Sequence, residues 1–155
     1  SPARANATGY SDSYFSLATV PLTLKSNADK YKDWEDLNNA DVRVAATLGT
    51  TQEKQVKQYF PNAKHVIVEA PAQPFQQVLS GRADAHITSN VEANKLVAIH
   101  SDLMIVPVSA PKSPTPIAML LPQADQVWIN YVNTWIKLKQ ERGFFKELDD
   151  KWKLN

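Results

Sequence analysis

The sequence contains no cysteine. That single absence excludes disulfide frameworks, cysteine zinc sites and thiolate nucleophiles together. Glycine is scarce, at four residues. No Walker loop, G-x-G-x-x-G turn, G-x-S-x-G elbow or H-E-x-x-H pair occurs. The three histidines, His65, His86 and His100, are scattered without metal-ligand spacing. His86 sits in an alternating strand-like run and reads as a packed residue. Charge of one sign is also lacking: Lys and Arg number 17 against 16 Asp and Glu, a net charge of +1. A nucleic-acid binder would show a basic excess or stripe, and none is present. No apolar run approaches the ~18 residues that a bilayer-spanning helix needs. The opening SPARANATGYSDSYF has no apolar signal region, so an export signal, if there was one, has been removed.

What is present is globular. The chain has 155 residues, 43% hydrophobic and 21% charged. That size suits one domain or two small lobes, and such a chain buries roughly two thirds of its unfolded surface without a staple.

Short β-like runs alternate with helical stretches. Phe15 to Leu24 reads as extended, and Pro21 marks it as an edge or crossing strand rather than a central one. A polar helical turn follows at Asp33 to Asn39. Val42 to Thr47, His65 to Val68, Asp84 to Thr88, Leu103 to Val106 and Ile117 to Leu121 read as strands, the first and last of them buried. Helices are expected from Thr50 to just before Pro61, over Gln73 to Leu79, and from Ser89 to about Ala98. Two more close the chain, Asp125 to Glu141 and Phe144 to Trp152, with Gly143 between them. The proline-rich run PVSAPKSPTP reads as a loop or crossing segment. Trp128, Tyr131, Trp135 and Leu138 recur at three- and four-residue spacing, which predicts a core-facing stripe. This alternation implies βαβ units and a mainly parallel sheet.

Two corners could carry chemistry. Leu48-Gly49-Thr50-Thr51-Gln52-Glu53 follows a strand and opens a helix, where unpaired N–H groups and the helix dipole attract an anion. Gly49 would let a ligand approach the backbone, and Thr50 and Thr51 add hydroxyl groups. The same pattern is also a capping box, with Thr50 capping and Glu53 reaching back. Ser89-Asn90-Val91-Glu92 repeats the arrangement at another strand end. Open α/β sheets bind ligands outside the carboxyl ends of their strands, so the two corners could share a crevice. Ser89 and Glu92 again form a capping box, or Glu92, if desolvated, serves as a general acid.

The order of these pieces resembles the extracytoplasmic solute-binding proteins of the polar amino-acid type, the two-lobed receptors of ABC importers. SGRADA, the GTTQE corner, and the closing helices with Gly143 and Trp152 look most like that family. The resemblance implies an α/β, type II periplasmic-binding-protein-like fold. One complete β/α lobe is expected, with the C-terminal part of a second. Residues 1–24 would end lobe 1 and make the first hinge crossing. Residues 25–106 would form lobe 2, and 107–155 the second crossing and the closing elements of lobe 1. The chain would then be a fragment lacking the opening of lobe 1, or one that completes it in a swapped homodimer.

The implied function is capture of a small amino acid or carboxylate, outside the cytoplasm, for an ABC permease. No cofactor, metal or nucleic-acid partner is implied. Gly49, Thr50 and Thr51 would hold a carboxylate, Ser89 and groups near Gln73 the other end, and Tyr14 would form part of the lobe 1 wall. Departures exist: Ala18-Thr19-Val20-Pro21 lacks the family's arginine, and Ser89 stands where an aspartate usually binds the ligand ammonium. The cyclohexadienyl dehydratase branch is also resembled, through Thr19-x-Pro21, LVAIHSDL, AMLLPQAD and YVNTW. In that alternative Glu92 is the catalytic proton donor for prephenate or arogenate. A further alternative is a fragment that folds without binding.

Overall fold

The computed structural model describes residues 8–152. The first seven residues of the opening stretch lie outside the described part. The chain forms two compact units, Ala18–Ser113 and Ser1–Leu17 with Pro114–Asn155.

The Ala18–Ser113 unit is built on a sheet. Strands β2 (Phe15–Leu24), β3 (Arg43–Thr47), β4 (Lys64–Val68), β5 (Ala85–Ser89) and β6 (Leu103–Ile105) lie in the order β4-β3-β5-β2-β6, with β7 (Lys112–Ile117) also paired to β2. Helices α1 (Thr51–Tyr59), α2 (Pro74–Leu79) and α3 (Asn90–Ile99) connect them. A short 3-10 turn at Glu35–Leu37 precedes β3.

Side-chain alternation divides the core. Val44, Ala46, Ala85 and Ile87 face a cluster with Trp34, Leu37, Val56 and Phe60. Ala45 faces the opposite cluster, with Val78, Ala93 and Leu96 from α2 and α3. A strand covered on both faces needs apolar residues at successive positions, which is why VRVAAT lacks a polar alternation. Val56 in α1 and Phe60, the residue that caps its end, are buried one turn apart. That helix stops at Phe60 because Pro61 disfavours a helical residue before it.

Three sequence expectations need correction. The sheet is mixed: β3 is parallel to β4 and β5, whereas β2 runs against both β5 and β6. Pro21 therefore lies in an internal strand. Its carbonyl accepts from Val106 N at 2.9 Å, just past the end of β6, so its missing N–H falls at the last rung of that ladder.

Secondly, part of the proline-rich run is strand β7. Pro114 and Pro116 are two apart, so both missing N–H groups lie on one edge and the other edge remains able to pair. Thirdly, the expected strand Ile117 to Leu121 is broken: Ile117 closes β7, and β8 is only Leu120–Leu121, with Leu121 buried and Leu120 exposed.

The second unit pairs β1 (Gly9–Tyr10) antiparallel with β8 and adds α4 (Gln126–Glu141) and α5 (Phe144–Trp152). Asp125 caps α4 by accepting from Trp128 N at 2.9 Å. Gly143 joins the helices at φ +73°, a left-handed conformation that a Cβ would strain.

The buried stripe of α4 is Ile129, Val132 and Ile136, packed with Leu121, Tyr14, Met119 and Phe145. The predicted core stripe is largely outward: Trp128 is 45% exposed, Tyr131 62% and Leu138 46%. Both stripes obey helical spacing. The aliphatic one wins because Leu121, Met119, Tyr14 and Phe145 present its apolar partners, and Trp135 of the expected stripe joins them partly buried. Trp128 and Tyr131 stack on each other instead, with centroids 5.4 Å apart.

Candidate functional site

Strands β3 and β5 are parallel neighbours, so their carboxyl ends lie at the same edge of the sheet. The antiparallel register puts Thr19 of β2 directly opposite Ser89. Both corners singled out in the sequence, and the first crossing strand, therefore meet at one edge of the Ala18–Ser113 unit.

At the first corner, Gly49 takes φ +74°, which turns the chain from β3 towards α1. Thr50 caps α1, its hydroxyl donating to Thr47 O at 2.6 Å and accepting from Glu53 N at 3.3 Å. The Glu53 carboxylate returns to accept from Gly49 N at 2.7 Å, and Lys57 Nζ lies 2.6 Å from its other oxygen. The Gly49 N–H is thus engaged by the protein's own carboxylate. The Lys57 contact foremost, with the Gly49 N–H, holds the Glu53 carboxyl below its usual range. Thr51, the first residue of α1, is exposed.

At the second corner, Ser89 caps α3 by accepting from Glu92 N at 3.2 Å. Glu92 is exposed, and one of its carboxylate oxygens accepts from the buried Thr88 hydroxyl. Behind them His86 is buried, its Nδ1 3.4 Å from Ala45 O. Burial pushes this imidazole down to about 4, against smaller opposing effects of Ala45 O and Glu92. His86 is therefore a neutral packed residue near pH 7.

Side-chain bonds tie the crossing strand to both corners. Asn90 Oδ1 accepts from Ala18 N at 3.2 Å, and Gln55 of α1 meets the Thr19 hydroxyl at 3.2 Å. Sequence reading placed Asn90 in its corner without assigning it a contact, and it missed Thr88 and Gln55. Each is one position before or a few beyond a singled-out residue, and Thr88 carries the strand signal of a polar residue in a buried run.

Gln73 precedes α2, is exposed, and donates to Pro71 O at 3.5 Å. Tyr14 belongs to the other unit, where its ring stacks on Phe145 at 5.4 Å. At the opposite ends of β3 and β5, Arg43 and Asp84 form a two-pronged ion pair, with both contacts at 3.0 Å. Burial raises the Asp84 carboxyl, but the Arg43 hydrogen bonds and charge outweigh it and hold it below the usual range. This pair, which uses the aspartate of SGRADA, joins the strand ends away from the two corners.

Among the described residues no cluster of His, Asp and Glu could hold a metal ion. Among them, too, no helix is long and apolar enough to cross a membrane.

No family model matches the chain. Among curated proteins, it is 26% identical over 144 residues to a cyclohexadienyl dehydratase from Pseudomonas aeruginosa. The match covers 90% of this chain and 53% of that protein, so the chain spans about half the length of the curated relative it matches. Among solved structures, an ancestral cationic amino acid solute binding protein matches with a TM-score of 0.83 and 36% identity, over 98% of this chain and 65% of that one. An ancestral cyclohexadienyl dehydratase matches with a TM-score of 0.66 and 37% identity, over 98% of this chain and 63% of that one. The fold is thus α/β and like that of type II periplasmic binding proteins. The relatives comprise amino-acid binders and a dehydratase.

Proposed function

We propose that this chain serves in extracytoplasmic capture of a small amino acid or carboxylate, delivering it to an ABC permease. The observation that carries this reading is the convergence of Thr19, the Thr50 corner and the Ser89 corner at the carboxyl edge of one sheet. Ligands of open α/β sheets bind at such an edge. Similarity to a cationic amino acid solute binding protein supports the same reading.

In this account Thr50, Thr51 and the Gly49 backbone bind a ligand carboxylate. To do so the carboxylate must take the Gly49 N–H from Glu53, which turns towards Lys57. Ser89, with polar groups near Gln73, binds the ligand's other end. The absence of an aspartate at Ser89 leaves a ligand ammonium with a neutral partner there. A charge-assisted bond is roughly twice as strong as a neutral one. Ser89→Asp should therefore tighten binding of a basic amino acid and weaken that of a dicarboxylate. Calorimetric titration of the chain and this variant with arginine, lysine and succinate tests the assignment. Unchanged affinities for all three would remove Ser89 from the site.

A second reading is the dehydratase, favoured by the position of Glu92 beside Thr88 and by the Pseudomonas relative. There Glu92, once protonated, would deliver its proton to the leaving hydroxyl of prephenate or arogenate. Turnover that survives Glu92→Gln intact would eliminate that role.

A further inference from the structure

The chain leaves the Ala18–Ser113 unit through a short run, Ser109 to Ser113, and that run is fastened down along its length. Ser109 donates to Asp33 Oδ1 from its amide and its hydroxyl, both at 3.3 Å. Ala110 O accepts from the Trp34 indole at 2.8 Å. Lys112 Nζ sits 5.3 Å from the Trp34 ring centre and 5.1 Å from that of Tyr59. The Tyr59 hydroxyl bonds the Ser113 hydroxyl. Trp34 and Tyr59 meet edge to face, with centroids 5.7 Å apart, so the two rings make one corner around the ammonium.

The fastened run ends at Ser113, the last residue of the unit, whose φ is +49°. Non-glycine residues avoid that region because Cβ clashes with the backbone. Ser113 also precedes Pro114, and a residue before proline is driven towards extended conformations. Two local preferences thus oppose the observed backbone, and something outside the residue must hold it there.

We propose that Trp34, Tyr59 and Lys112 form a latch that holds Ser113 in its left-handed conformation, making Ser113 a sprung pivot in the second crossing segment. The cation–π contacts supply attraction without fixing a hydrogen-bond geometry, so the lysine can slide off as the segment moves. The hydroxyl pair then releases, and Ser113 relaxes to extended backbone. Helix α1 carries Tyr59 at its last residue and Gln55, bonded to Thr19, one turn earlier. The same helix therefore grips both segments through which the chain enters and leaves the unit.

Amide hydrogen exchange of the full chain tests this. Lys112→Met keeps the stem and removes the charge, and the amides of Lys112, Ser113, Thr115 and Ile117 should exchange about tenfold faster, as loss of two cation–π contacts implies. Lys112→Arg keeps a cation over the rings and should exchange near the parental rate. Adding Ser113→Gly to Lys112→Met should bring the exchange rate part of the way back, since a positive φ costs glycine no steric strain. Far-UV circular dichroism checks folding. If the Met variant fails to fold, Tyr59→Phe leaves both rings and removes only the hydroxyl, and it should loosen the Ser113 amide. Parental exchange in Lys112→Met, or in Tyr59→Phe where that variant stands in, overturns the latch. So does exchange in Lys112→Arg as fast as in Lys112→Met.

Discussion

The two helix-opening corners are written alike and built differently. Thr50-x-x-Glu53 and Ser89-x-x-Glu92 both close the expected cap, with the hydroxyl accepting from the glutamate N–H. The carboxylates then part company. Glu53 folds back onto Gly49 N–H and is gripped by Lys57. Glu92 turns to the Thr88 hydroxyl, in front of the buried neutral His86. At one corner the protein's own carboxylate takes the free N–H and is neutralised by a lysine. At the other, a carboxylate is held by a neutral donor over a desolvated imidazole. The capping box fixes the backbone and leaves the electrostatics to whatever lies one turn along or one strand behind.

The largest expected effect separates the corners by pH. The folded-state value of His86, about 4, lies below its ordinary 6.5. Protonation therefore favours unfolding, and stability present above about pH 6.5 is lost as pH falls towards 4. With 1.36 kcal/mol per unit, the loss is about 3 kcal/mol at most. Glu53 is also depressed, so its contribution is present above its ordinary value and fades only as pH falls below it. Urea unfolding at pH 7 and pH 4.5 should show a steep fall in the parent and a shallower one in His86→Gln. Equal slopes would mean that the Ser89 corner has no titrating group behind it.

A second variant contrasts the corner edge with the opposite strand ends. Asp84→Asn should cost about 2 kcal/mol, because it weakens the charge-assisted bonds to Arg43 and leaves a part-buried guanidinium underpaired. Ligand affinity should stay the same, since the pair lies away from both corners. Denaturant midpoints and binding titrations together check this. Lost affinity at unchanged stability would reverse the assignment.

Smaller effects compare the caps themselves. Thr50→Ala and Ser89→Ala should each cost about 1 kcal/mol, the ordinary worth of a capping hydroxyl. Ser89→Ala should also free the Glu92 amide to exchange faster, and Thr50→Ala that of Glu53. Smallest of all, Glu53→Gln should leave folding nearly intact while raising affinity for a ligand carboxylate. The neutral amide competes less well than a carboxylate for the Gly49 N–H. A loss of affinity would make Glu53 a binding group rather than an occupant of the corner.

Much of this was legible from residue order. The alternation of strands and helices, both caps and the SGRADA turn follow from local chemistry, because Gly, Pro, Ser, Thr and Glu act within a few positions. What could not be read depends on partners distant in sequence. The α4 stripe is the plainest case. Trp128, Tyr131, Trp135 and Leu138 satisfy helical spacing as well as Ile129, Val132 and Ile136, and the apolar face offered by Leu121 and Met119 selects the aliphatic set, with Trp135 of the expected stripe packed beside it. Pro21 does lie in the strand that passes from one unit to the other, but not at a sheet edge: its missing N–H is tolerated because β6 ends beside it. Arg43 and Asp84 are 41 positions apart, and no local rule pairs them. At the corners, residue type announced a polar turn, while the Thr88–Glu92 bond and the burial of His86 emerge only with the sheet in place.

The most direct test of solute capture is thermal unfolding of the chain with a panel of basic amino acids, small dicarboxylates and prephenate. A ligand at 100 times its Kd adds about 2.7 kcal/mol, and each kcal/mol moves the midpoint of a chain this size by roughly 2–4 °C. The account predicts a rise of several degrees with at least one member of the panel, reduced for a dicarboxylate by Ser89→Asp. An unmoved midpoint with every compound at millimolar concentration would contradict it.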